Sequence, residues 1–153
     1  MAGKRILVPF NFTDYDEKAL HHVIRNYAGE RRSKVTLFHV YAPLPDINGY
    51  NPALGRLKAT MASIWKEHRE KEIELQRVRQ DLIDNGFLEE QLDYVYKAKT
   101  KGIGGEIVDK VYQGDYDTVI LSRKPGGMTR TFFRNIHDEV LSKLKNKEIC
   151  IIT

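Results

Sequence analysis

Five short apolar runs, separated by longer stretches of helical spacing, limit what this chain can fold into more than any other feature. The runs are RILVPF (5–10), KVTLFHVY (34–41), LDYVYKA (92–98), DTVILS (117–122) and EICIIT (148–153). They have strand length and favour Val, Ile, Tyr and Phe, residues that suit a pleated, half-buried surface. Between them, Ala19, Leu20, Val23, Ile24 and Tyr27 recur at helical intervals, as do Met61, Ile64, Trp65, Leu75, Val78 and Leu82. The recurrence returns at Ile107, Val108 and Val111, and again at Phe133, Ile136, Val140, Leu141 and Leu144. Each set is the apolar stripe of an amphipathic helix. Strands alternating with helices predict an α/β fold with one mostly parallel, doubly wound sheet.

Local signals agree with this order. Thr13 is expected to cap the first helix, with Asp16 and Glu17 in its first turn and Gly29 at its end. Asn85-Gly86 should close the second helix and Gly114 the third. Met61, His68, Leu75 and Leu82 fall seven apart, but that seam is short, and a long helix packed on the sheet explains it better than a coiled coil. The turn-rich APLPDINGYNPALG (42–55) reads as a surface excursion. No repeat or linker interrupts the pattern, so residues 1–153 read as a single domain.

Composition narrows the setting. A hydrophobic fraction of 41% is enough for a core, and 30% charged residues keep the surface solvated. No run approaches the roughly eighteen apolar residues of a membrane span, which argues against a membrane partner. The N-terminal MAGKRILVPFNF turns polar too soon for a signal peptide. The single cysteine, Cys150, excludes an internal disulfide and fits a reducing compartment, so a cytoplasmic location is expected. A formal charge of +4 admits an anionic ligand but argues against nucleic acid, which calls for a stronger basic stripe.

In doubly wound sheets, ligands bind outside the carboxyl ends of the strands, where the strand order reverses. Two strand exits carry unusual polar chemistry. One is Pro9-Phe10-Asn11-Phe12-Thr13; the other is Leu121-Ser122-Arg123-Lys124-Pro125-Gly126-Gly127 with the following Met128-Thr129-Arg130-Thr131. Between Thr118 and His137 there is no acidic residue, while Arg123, Lys124, Arg130 and Arg134 are basic. Glycines that allow close backbone approach, beside cations and a helix start, make an anion site. The alternative is a solvated loop with an ordinary Pro-Gly-Gly turn.

The chain resembles the universal stress proteins of the UspA type along nearly its whole length. ILVPFNFTDYDEKAL resembles the family's opening pattern ILVPVDGSEYSEKAL, and KVTLFHVY its second strand. GGEIVDKVYQGDYDTVILSRKPGG resembles the third helix and fourth strand, and EVLSKLKNKEICIIT the end. The resemblance implies a Rossmann-like five-stranded parallel sheet of order 3-2-1-4-5, with helices on both faces. It also implies a homodimer through the last strand, Glu148 to Thr153, and a role in the stress response without catalysis.

Many members bind ATP through G-x2-G-x9-G-[ST] and an aspartate ending the first strand. Here the glycine positions fall on Leu121, Lys124 and Arg134, the Ser/Thr position on Asn135, and the aspartate position on Asn11. The motif is degenerate, and side chains at glycine positions block close approach to phosphate. The candidate nucleotide- or anion-binding residues are therefore Asn11, Val40, Ser122, Gly126, Gly127, Arg130 and Asn135. Asn11 would take a polar edge, the backbone near Val40 a base, and Ser122 and Asn135 would donate to phosphate oxygens. The two glycines would supply amides, and Arg130 charge. The cofactor stays open: a small anion on one reading, ATP in a slow or non-hydrolysing switch on the other.

Other chemistry is weaker. A triad of Ser122, His39 and Asp14 lacks a nucleophile elbow. His21 and His22 are adjacent on a helix and diverge, so no metal is expected there, and His137 is expected on a helix surface or interface. GIGGE (102–106) lacks G-x-G-x-x-G spacing and reads as the turn leading into the third helix. Tyr41 and Tyr50 could cover a ring, or Tyr41 could simply be packed.

Overall fold

A computed structural model describes residues 3–43, 54–123 and 131–153. The strands are β1 (Arg5–Pro9), β2 (Lys34–Tyr41), β3 (Leu92–Ala98), β4 (Thr118–Ser122) and β5 (Glu148–Ile152). The helices are α1 (Asp16–Tyr27), α2 (Leu54–Asp84), α3 (Ile103–Gln113) and α4 (Thr131–Lys143), with a short 3-10 turn at Glu89–Gln91. All pairings are parallel, in the order β3-β2-β1-β4-β5. The Rossmann-like fold implied by the sequence is the fold observed.

Burial explains why the strands take these places. A strand inside a parallel sheet is covered on both faces and must be apolar throughout. Four of the five β1 residues and all five β4 residues are buried, whereas β5 is only partly covered at the edge. One core layer joins Ile6, Val8, Val35 and Leu37 to Val23 of α1 and Leu75 and Leu82 of α2. The other joins Leu7, Phe38 and Val119 to Ile107 and Val111 of α3 and Val140 of α4. Leu75 and Leu82 thus pack on the sheet, as the long-helix reading of that seam requires.

The register also opens a gap. β1 pairs with β4 at Ile6↔Thr118 and Leu7↔Val119. Beyond that point β1 continues with β2 to Pro9↔Phe38, and β4 continues with β5 to Ser122↔Ile152. The two strands part company at their carboxyl ends, where doubly wound sheets hold their ligands.

One local expectation is corrected. Thr13 does not cap α1; Tyr15 occupies the N-cap without a side-chain hydrogen bond. Thr13 instead starts a turn, with the Asp16 N–H donating to its carbonyl at 3.1 Å. Its hydroxyl is drawn to the Asp16 carboxylate rather than to a helix amide.

Candidate functional site

The gap between β1 and β4 is a cavity of about 170 Å³, with Asn11, Thr13, Ser122 and His137 as its polar lining. Pro9, Ile103, Ile107, Leu121 and Ile136 supply the apolar remainder. α3 and α4 therefore form the far wall. They come close because α3 begins with glycines: a Cβ on Gly104 would lie 2.4 Å from Oε2 of Glu139 on α4.

Behind the polar wall stands Asp16, only 1% exposed at the start of α1. Its Oδ2 accepts the Asn11 N–H at 3.0 Å, the Thr13 N–H at 2.9 Å and the Thr13 hydroxyl at 2.9 Å. Its Oδ1 accepts the Ser122 hydroxyl at 2.5 Å, across 106 residues of sequence. A buried carboxylate needs this degree of satisfaction, and hydrogen bonds to a charged group contribute about 1.5–3 kcal/mol each. Asp16 thereby ties the β1 exit to the β4 exit.

Phe12 makes the fold-back feasible. Its φ of 60° places a bulky residue in the left-handed region, turning the amides on either side toward one oxygen. Such a backbone costs on the order of 1–2 kcal/mol. Ring packing offsets it, with Phe10 at 5.0 Å and His39 at 4.8 Å.

A second buried carboxylate latches the other long strand exit. Glu106, in the first turn of α3, accepts the Thr100 N–H at 2.8 Å, the Thr100 hydroxyl at 2.9 Å and the Lys97 ammonium at 3.0 Å. Burial alone would raise its carboxyl pKa, but these donors outweigh it and hold the group at about 2. GIGGE (102–106) is the turn leading into α3, as expected, with Gly102 at the N-cap.

The sequence candidates divide. Asn11 and Ser122 meet in the cavity. Val40, 9% exposed, packs in the core layer under α3 and α4 and does not line it. Gly126, Gly127 and Arg130 lie outside the described residues, as do Lys124 and Tyr50; Asn135 lies on α4, its side chain outside the described residues. Arg123 is exposed and is not part of the cavity wall; its N–H donates to the Ile152 carbonyl at 2.8 Å.

Two readings change. His137, expected on a helix surface or interface, is 8% exposed and lines the cavity. Ser122 was expected to donate to phosphate, but its hydroxyl proton goes to Asp16. No Ser122–His39–Asp14 triad forms. The His39 Nδ1–H donates to the Phe10 carbonyl at 2.7 Å, its ring stacks on Tyr96, and burial lowers its pKa. Tyr41 stacks on Tyr96 at 4.8 Å and meets His68 at 4.4 Å, so it is packed internally. Among the described residues no cluster of His, Cys, Asp and Glu could hold a metal ion, and no helix is long and apolar enough to cross a membrane.

A parallel sheet whose neighbouring strands diverge over a partly polar crevice defines a Rossmann-like fold. The model of the universal stress protein family matches residues 3–146, and the chain belongs to that family. The universal stress protein UspA from Lactobacillus plantarum is 15% identical, with a TM-score of 0.67 over 100% of this chain and 99% of that one. A universal stress protein solved in complex with cAMP is 11% identical, with a TM-score of 0.63 over 100% of this chain and 98% of that one. The universal stress protein from Archaeoglobus fulgidus in complex with dAMP is 17% identical, with a TM-score of 0.55 over 100% of both chains. Identities this low speak for the fold alone. No protein of curated function matches the sequence significantly.

Proposed function

We propose that this chain is a non-catalytic, cytoplasmic stress-response protein that binds a nucleoside- or nucleotide-class ligand in the β1–β4 crevice. Occupancy is passed to a partner by a homodimer built on β5. The observation that carries this reading is the 170 Å³ cavity where the polar β1 and β4 exits meet, at the sheet's switch point. The cAMP and dAMP complexes of two structural neighbours support the ligand class. Ser122 and His39 are bonded to Asp16 and to the Phe10 carbonyl, which speaks against a Ser–His hydrolase built on this pair.

The test is calorimetric titration with adenosine, AMP and ATP, with and without Mg²⁺. Saturable binding of any of these, with no phosphate released over hours, is the expected result. Release of phosphate from ATP at a steady rate would replace this reading with the switch-type ATPase. Silence from all three would remove the nucleotide class.

A further inference from the structure

The hydroxyl groups that line the crevice are not free to donate. Thr13 and Ser122 each have one hydroxyl proton, and both protons point to Asp16. A hydroxyl whose proton is committed offers only lone pairs to a third group. The carboxylate behind them accepts four hydrogen bonds and donates none. Its negative charge lies in a buried setting, 1% exposed, where water screens it least. The side chains of Pro9, Leu121 and the isoleucines bring no donor, so the side-chain donors of the lining belong to Asn11 and His137, away from the Thr13–Ser122 wall's committed hydroxyls.

We infer that Asp16 sets the polarity of the crevice: the Thr13–Ser122 wall receives an uncharged, donor-bearing part of a ligand and repels a phosphate oxygen. The ligand chemistry it selects there is a hydroxyl or amine, as on the sugar or base of a nucleoside. Any phosphate contributes little to binding at this wall. This rests on the proposed function and narrows it. The residue does not touch the ligand; it acts through two hydroxyls, as a positioning residue.

Asp16→Asn reverses the wall with almost no change of shape. Its amide oxygen can keep the three Oδ2 bonds, while its NH₂ donates to Ser122 and releases the serine proton into the crevice. Ser122→Ala removes the acceptor. Adenosine and AMP are titrated against the wild type and both variants.

In the wild type the two should bind within about threefold of each other, and Ser122→Ala should weaken both by about tenfold, leaving their ratio unchanged. Asp16→Asn should move the ratio about tenfold toward AMP. An AMP advantage in the wild type that vanishes in Ser122→Ala would show Ser122 holding phosphate and overturn the inference, while the proposed function stands. A ratio indifferent to Asp16→Asn also overturns it. If neither compound binds the wild type, the inference falls, and the proposed function falls with it only where ATP is silent as well. Should Asp16→Asn not fold, the Ser122→Ala ratio decides alone.

Discussion

Residue 11 is an amide because the carboxylate of this crevice comes from five residues further on. The pattern that β1 and α1 resemble places aspartate, glycine and serine where this chain has Asn11, Phe12 and Asp16. A second carboxylate at position 11, whose own N–H already binds Asp16, would bring a like charge beside it, a repulsion that water at this exposed position only partly screens. Glu106 shows what such a latch does to acid stability. Its carboxyl sits at about 2 against an ordinary 4.5, so its contribution is complete above about pH 4.5 and is lost as the pH falls through 2. Urea unfolding at about pH 6 and pH 3 should show Glu106→Gln losing less stability between the two than the wild type. Equal losses would mean that the carboxylate is not held by its donors. Asn11 and Ser122 were legible in the sequence because polar residues at strand exits stand out. Asp16 was not, since an acid in a first helical turn reads as an ordinary dipole partner. Its signal was the Thr13-x-x-Asp16 spacing, half of a capping box: the Thr13 N–H does reach the Asp16 carboxylate, while the threonine side chain turns the same way.

At the level of elements, periodicity alone located all five strands and four helices, with ends displaced by a few residues. Strand order is another matter. Parallel neighbours are joined by long crossovers, and nothing local in β1 says that it pairs with β2 and β4; the family pattern supplied that. The turn at Glu89–Gln91 escaped notice because its anchor is polar. Buried Gln91 donates to the Glu30 and Ser33 carbonyls, joining segments far apart in sequence. β5 remains the least covered apolar element: Ile149, Cys150, Ile151 and Ile152 are all half-buried at the sheet edge. An apolar edge is managed by pairing or covering it. The proposed dimer on β5 predicts that Ile151→Lys sediments as a monomer at concentrations where the wild type is a dimer. A variant that keeps the wild-type sedimentation coefficient would place the contact elsewhere.

For the whole molecule, the crevice is not an attachment on a finished fold, because its walls are the means by which distant parts of the chain are joined. Asp16 links α1 to β4, Gly104 brings α3 against Glu139 of α4, and β1 supplies the floor. A ligand seated there touches elements from both core layers and should stabilise the native state as a unit. At a hundredfold excess over the dissociation constant, the gain is about 2.7 kcal/mol, which for a chain of this size is on the order of 5–10 °C in Tm. Amide hydrogen exchange locates the effect. The Asn11 and Thr13 amides, held by one carboxylate at the crevice wall, should slow on adding adenosine, together with amides of the β4 exit and the first turn of α3. Local opening of these exits requires Asp16 to release its partners, and a ligand resting on Thr13 and Ser122 opposes that release. Slowing confined to the β5 edge, with the Asn11 and Thr13 amides unchanged, would instead mean that the compound acts by tightening a dimer and that the crevice is not its seat.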